Sequence, residues 1–255
     1  VGTIAESARE AEADCLMCHL EGYHFEIRRN LLEYDQVMNE QRSLVYGQRQ
    51  TVLEGRELSE MVRNMMAHVV RDKIAYYFNF EVPPPGYVSP EGEEPMVHPV
   101  EETERWLLAV YGIRVPDLGI DPDRALSDQV DSVSDAVMTE FDRVYAQKKE
   151  AFGEDTMHRI ERYILLMKID EKWKDHLHAM DQLRSGIGLR SYGQIDPKVA
   201  YKQEGYQMFS QMIDSLRNEV TQLVLRVEVR REDEERLKSG LDRAEYHHDE
   251  LAAQE

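Results

Sequence analysis

Gly186-Ile187-Gly188-Leu189-Arg190-Ser191-Tyr192-Gly193-Gln194-Ile195-Asp196-Pro197 decides the fold of this chain. Three glycines and a proline do not sit comfortably inside a helix, so the stretch interrupts one. Before it, Ile160, Ile164, Met167, Ile169, Trp173, Leu177, Met180, Leu183 and Ile187 recur mostly at threes and fours. After it, Phe209, Met212, Leu216, Val220, Leu223 and Val227 do the same. Each set is one apolar stripe on a helix. Pro197 suits the first position of the second helix, and Asp196 is its natural cap. The expectation is a helical hairpin from about Met157 to Val229, with an exposed tip. Each arm has roughly 30 residues and measures about 45 Å at the helical rise.

A bare hairpin needs a third helix to cover its stripe. The sequence offers one from about Gly22 to Glu54, with Ile27, Leu31, Tyr34, Met38 and Val45 on one face and Gly55 as its stop. Trp173 and Leu177 are expected to pack there, against Tyr34 and Leu31 among others. Burial of one large apolar side chain contributes about 1.5–3 kcal/mol. A second helix is expected from Glu57 to Phe78, on Leu58, Val62, Met65 and Val69. Pro83-Pro84-Pro85-Gly86, followed by Pro90, Gly92, Pro95 and Pro99, reads as a loop. A short helix is expected over Glu101 to Tyr111. Another carries Val130, Val133, Val137, Phe141 and Val144, with Ser127 or Asp128 as cap and an end near Gly153. The fold class is therefore all-α.

The chain has 255 residues, enough for one or two domains. Its 42% hydrophobic content is ordinary, and its 32% charged content fits a solvated helical protein. The formal net charge of −19 argues against nucleic acid as partner, because phosphate binding needs a Lys/Arg excess. No apolar run approaches the length of a transmembrane helix, and the N-terminus does not have the pattern of a signal peptide. Two cysteines fit a reducing compartment. The chain opens on Val1 without a Met, and a piece of a longer protein is one expectation.

Two long ordered stretches resemble the SecA family of preprotein translocase motor ATPases. One is Trp173-Lys174-Asp175-His176-Leu177, then Met180-Asp181-Gln182-Leu183-Arg184-Ser185-Gly186-Ile187 and Leu189 through Pro197, similar to that family's two-helix finger. The other is Phe25-Glu26-Ile27-Arg28-Arg29-Asn30-Leu31-Leu32-Glu33-Tyr34-Asp35-Gln36-Val37-Met38-Asn39-Glu40-Gln41-Arg42, similar to its long scaffold helix. The resemblance covers about Glu21 to Arg230 and only the C-terminal part of a full SecA. It implies residues 22–56 as the scaffold helix, 57–150 as a helical wing and 151–230 as the finger. Residues 1–21 stay unassigned, and the charged tail 231–255 is expected to be frayed or disordered.

The resemblance also implies a function. The scaffold and finger would relay ATP-driven motion of motor domains, absent here, to an unfolded preprotein and a SecY-type channel. ATP and Mg belong to the full-length family. Leu189, Arg190, Ser191, Tyr192, Gly193 and Gln194 would form the fingertip that contacts preprotein and channel. Tyr192 fits that role on its own chemistry, since its ring offers an apolar body and a polar tip to any passing chain. The implied location is cytoplasmic, peripheral at the inner face of the plasma membrane. The alternative is a free-standing helical adaptor built on the same hairpin.

Catalytic signals are weak. A phosphate loop needs Gly-x-x-x-x-Gly-Lys-Ser/Thr, and nothing fits, so the chain is expected to be inactive alone. Gly186-Ile187-Gly188-Leu189-Arg190-Ser191 follows a helix and does not supply the third glycine of a dinucleotide turn. Cys15-Leu16-Met17-Cys18-His19 has the form of a c-type haem attachment or half a zinc site. Its flanks offer little apolar material, and pairing with His247-His248 has no spacing to support it. His176 and His178 point to different helix faces and read as solvated or hydrogen-bonded helix residues. No catalytic residue, metal ligand or cofactor site is assigned.

Overall fold

The computed structural model describes the backbone of residues 2–79, 98–188 and 196–228. Side chains are described for the same residues except 2–20, Tyr23, Glu26, Ile27, Asn30 and Leu31. All regular elements among them are helical. They are α1 (Gly2–Glu54), α2 (Leu58–Phe78), α3 (Pro99–Trp106), α4 (Val130–Phe152), α5 (Glu154–Gly186) and α6 (Pro197–Arg226). The protein is all-α, as the periodicity predicts.

The ends follow the local chemistry. Gly55, in the left-handed region at φ 69°, stops α1. Asp196 caps α6, its Oδ1 accepting from the Lys198 amide at 2.8 Å with Pro197 between them. Three expectations need correction. First, α1 starts at Gly2 and not near Gly22, because no proline interrupts the run. Second, the short third helix is not uniform: it is α-helical to Trp106 and then widens into a π-turn over Leu107–Tyr111. Third, neither Ser127 nor Asp128 caps α4. A 3-10 turn, Leu126–Gln129, leads in, and the buried Gln129 amide ties the preceding loop instead. Its Oε1 accepts from the Asp121 amide at 2.7 Å, and its Nε2 donates to the Asp121 and Arg124 carbonyls at 2.9 and 3.0 Å.

The stripe on α5 also needs correction. Met167 is 37% exposed, whereas Ile164, Leu165 and Leu166 are all buried. The buried arc swings around the helix at those three residues, and Met167 is left outside it. On α6, Leu223 is exposed as well.

The chain divides into two compact units. One comprises residues 1–47 and 175–210. In it α5 and α6 are antiparallel: Met180 lies against Gly205, and Ile187 shares a cluster with Ala200 and Tyr201. Segment 21–47 of α1 runs against α5 and along α6. Its Asp35 meets Arg184 and its Gln41 meets His176, while Glu33, Tyr34 and Gln41 meet Lys198, Tyr201 and Gly205 in rising order.

The other unit comprises residues 48–174 and 211–255. Here α2 lies antiparallel to α4, with Arg63 paired to Asp142 at 2.8 Å and Arg71 to Asp131 at 3.0 Å. Val62, Met66, Val70, Ile74 and Phe78 of α2 and Val133, Val137 and Phe141 of α4 are buried. An aromatic series Trp106–Tyr111–Phe141, with edge-on centroid distances of 5.3 and 4.9 Å, carries that core to the π-turn. Burial pushes the Tyr111 hydroxyl's pKa up. Arg226 at the end of α6 donates to the Ala109 carbonyl inside the π-turn at 2.7 Å.

Candidate functional site at the root of the hairpin

Residues 187–196 join α5 to α6, and the helix segments on either side of them pack on α1 in one unit. The root is built around four buried residues, Met180, Ile187, Ala200 and Tyr201. Tyr34, Val37, Met38, Leu183 and Met208 close over them. The Tyr34 and Tyr201 rings meet edge to face at 4.8 Å. Gly205 makes the close approach. A Cβ there would sit 2.9 Å from Met180 Cε and 3.9 Å from Val37 Cγ1, so a larger residue would require the end of the Met180 side chain to move.

A buried polar chain crosses all three helices beside this contact. His176 on α5 bonds through Nε2 to Gln41 Oε1 on α1 at 2.8 Å. Gln41 Nε2 donates to the Gly205 carbonyl of α6 at 3.2 Å. The second bond orients the amide, so Gln41 Oε1 accepts and His176 carries its proton on Nε2. The Phe209 ring lies 5.6 Å from the imidazole. Burial pulls the His176 pKa below its ordinary value, so the ring is neutral near pH 7. At the rim, Arg184 pairs with Asp35 at 3.1 Å and Lys198 with Glu33 at 3.2 Å.

The residues expected from sequence fall as follows. Tyr34 is half-buried in this root, and Leu177 is half-buried one residue beyond the fully buried His176. Trp173 is buried in the other unit. The Leu31 side chain lies outside the described residues. So do the whole fingertip set, Leu189, Arg190, Ser191, Tyr192, Gly193 and Gln194, and the proline-rich loop. The side chains of Cys15, Cys18 and His19 and the tail with His247-His248 lie outside them too. Among the described residues, no cluster of His, Cys, Asp and Glu could hold a metal ion. No described helix is long and apolar enough to cross a membrane. The described root offers no nucleophile with an adjacent base; what it supplies is a fixed register of three helices.

That arrangement has relatives. The family model of the SecA wing and scaffold domain matches residues 18–228. The chain belongs to the SecA family. It is 41% identical over 218 residues to the protein translocase subunit SecA of Pelotomaculum thermopropionicum, covering 82% of this chain and 22% of that protein. It is 37% identical over 218 residues to the SecA of Carboxydothermus hydrogenoformans, covering 85% and 23%. With the SecA of Syntrophobacter fumaroxidans the identity is 33% over 216 residues, covering 84% and 24%. The chain thus spans less than a quarter of the length of these SecA proteins, in the region of the wing and scaffold.

Sequence reading missed Gly205 and Gln41, which set the register of this SecA segment together with Met180 and His176. Gly205 carried a usable signal. A glycine inside a strong helical pattern costs about 1 kcal/mol against alanine, which calls for a packing reason. Gln41 carried none, because a polar residue on a long helix reads as solvated until a partner helix is placed on it.

Proposed function

We propose that this chain is the scaffold, wing and finger portion of a SecA-type translocase and relays motion to a polypeptide in transit. Residues 22–56 would act as scaffold, 57–150 as wing and 151–230 as finger. Motor domains outside this chain would bind ATP and Mg. Leu189, Arg190, Ser191, Tyr192, Gly193 and Gln194 would touch the unfolded preprotein and a SecY-type channel at the cytoplasmic face of the membrane. The observation that carries this reading is the root. The helices flanking residues 189–195 are joined to each other by the Met180–Gly205 approach and to α1 by the His176–Gln41–Gly205 chain. A displacement along α1 is then passed to both flanks together. A loosely packed hairpin would absorb it.

The test places this chain in the matching region of the Pelotomaculum SecA, with Cys15→Ser, Cys18→Ser and Tyr192→Cys. During translocation, position 192 should crosslink to preprotein or channel, and a Tyr76→Cys control on exposed α2 should not. A chimera that translocates without any crosslink from position 192 would overturn the fingertip assignment. The isolated chain should hydrolyse ATP no faster than background.

A further inference from the structure

Glu161 on α5 is the one fully buried carboxylate among the described residues, at 0% exposure. One carboxylate oxygen takes a short hydrogen bond from the Tyr145 hydroxyl of α4. The other accepts from Ser59 Oγ, in the first turn of α2, at 3.2 Å. Its neighbours on α5 face the same place. Arg162 donates to the Leu53 carbonyl, in the last turn of α1, at 2.6 Å. His158 Nε2 lies 3.2 Å from the position a Cβ on Gly55 would take.

These contacts surround the elbow between α1 and α2, and the elbow is strained. Gly55 has φ 69° and Glu57 has φ 54°, the latter being the one described non-glycine residue with positive φ. A glutamate in the left-handed region is disfavoured. Glu57 is also the N-cap of α2 and makes no capping hydrogen bond with its side chain. Nothing in the local sequence rewards this backbone at Glu57, whereas Gly55 adopts its own at no steric cost. Burial holds the Glu161 pKa above the usual carboxylate range against the pull of the Tyr145 and Ser59 hydroxyls. The group at the centre is thus itself under electrostatic load.

We infer that His158, Glu161 and Arg162, with Tyr145 and Ser59, form a latch that holds the α1–α2 elbow in a strained closed state, and that releasing the latch lets the elbow relax. Residues 48–54 of α1 and the start of α2 then meet at a joint with two states. The inference goes beyond the translocation reading and does not depend on it.

Hydrogen exchange of the whole chain tests it. The reporters are the Gly55 amide, bonded to the Val52 carbonyl, and the Met61 amide, bonded to Glu57. The controls are the Asn79 amide at the far end of α2 and the Ala200 amide in the other unit. Tyr145→Phe and Glu161→Leu should each speed the reporters at least about tenfold and leave the controls within about twofold. Glu161→Gln, which keeps both an acceptor and a donor, should stay within about threefold of the parent protein. Glu57→Gly, which removes the strain, should slow the reporters. Unchanged reporters in Tyr145→Phe and Glu161→Leu would overturn the latch. So would controls that accelerate equally, or a Glu161→Gln variant that behaves like Glu161→Leu. Reporters unslowed in Glu57→Gly would overturn the strain.

Discussion

The two units bury polar groups in opposite ways. In the unit of residues 1–47 and 175–210 the buried chain His176–Gln41–Gly205 is neutral and directional, and each donor has its acceptor in one tautomer only. In the unit of residues 48–174 and 211–255 a carboxyl group sits between two hydroxyls, which can donate or accept. The first arrangement specifies a register and resists change. The second tolerates a change of proton and suits a joint. The difference teaches that buried polarity in this all-helical chain does two jobs, alignment in one place and adjustability in the other.

The largest effects should come from the apolar parts of each unit, and they should be separable. Tyr201→Ala in the first unit and Phe141→Ala in the second should each cost about 3–5 kcal/mol, because both side chains are buried and keyed by an edge-on ring. Urea denaturation gives the totals. Exchange measured residue by residue should show each loss largest within its own unit. Equal loss of protection in both units for either variant would mean that the two do not behave as separate cooperative bodies.

Gly205→Val comes next. Its added methyls meet Met180 Cε, and overpacking of this kind costs about 1–3 kcal/mol. The terminal methyl of Met180 can move, so Gly205→Ala should cost less, offset by the helix propensity of alanine. A double variant, Gly205→Ala with Met180→Leu, should recover most of the difference if the Met180 contact is the cause.

The pair of helices, the end of α5 at Gly186, the Asp196–Pro197 start and the Gly55 stop were all legible, because each rests on local chemistry: periodicity, φ preference and caps. Met167 was misplaced because a single stripe was assumed along α5, whereas the buried face swings at Ile164–Leu166. Such a change depends on which helices lie alongside, and local periodicity does not encode it. The π-turn at Leu107–Tyr111 was illegible for a related reason: its Ala109 carbonyl is taken by Arg226, 117 residues away in the chain. Glu161 was passed over because a glutamate among Arg159, Arg162 and Lys168 reads as solvent-facing until Ser59 and Tyr145 are brought to it. The pattern reveals what a helix is but not which polar residue its neighbours will enclose.

Acid should act on the two units with opposite sign. His176 has its pKa lowered by burial from an ordinary 6.5. Its contribution is fully present above that value and is lost as pH falls through 6.5 toward the folded pKa, since the unfolded chain takes up the proton first. Glu161 has its pKa raised from an ordinary 4.5, mainly by burial, with Tyr145, Ser59, His158 and Lys149 pulling the other way. Its cost is present above the folded pKa and fades as pH falls toward 4.5, because the folded chain takes up the proton first. Urea melts at several pH values across that span, read as differences from His176→Gln and Glu161→Gln, isolate each slope. A fall in stability on acidification that His176→Gln removes, and an opposing rise that Glu161→Gln removes, are the expected pair. Slopes of the same sign would break the contrast.

The smallest effects lie at the surface, and they too should differ between units. In the first, Arg184 and Asp35 are 39% and 51% exposed, and the guanidinium also lies 6.0 Å from the Tyr34 ring centroid. The coupling of the pair in a double-mutant cycle should be about 0.2–0.5 kcal/mol and should vanish in high salt. In the second, Lys168 and Lys172 both reach the Glu219 carboxylate, and the two lysines are only 15% and 18% exposed. Burial alone would raise the Glu219 pKa, yet the bonds from Lys172 and Lys168 overcome it and hold the carboxyl below its usual range. Two partly sheltered cations on one anion form a network, for which a coupling near the upper end of surface values, about 1 kcal/mol, is expected. It should also survive salt better, because counterions reach it less easily. Equal couplings with equal salt sensitivity would mean that shelter adds nothing here, and that the α5–α6 pairing in this unit rests on its apolar stripe alone.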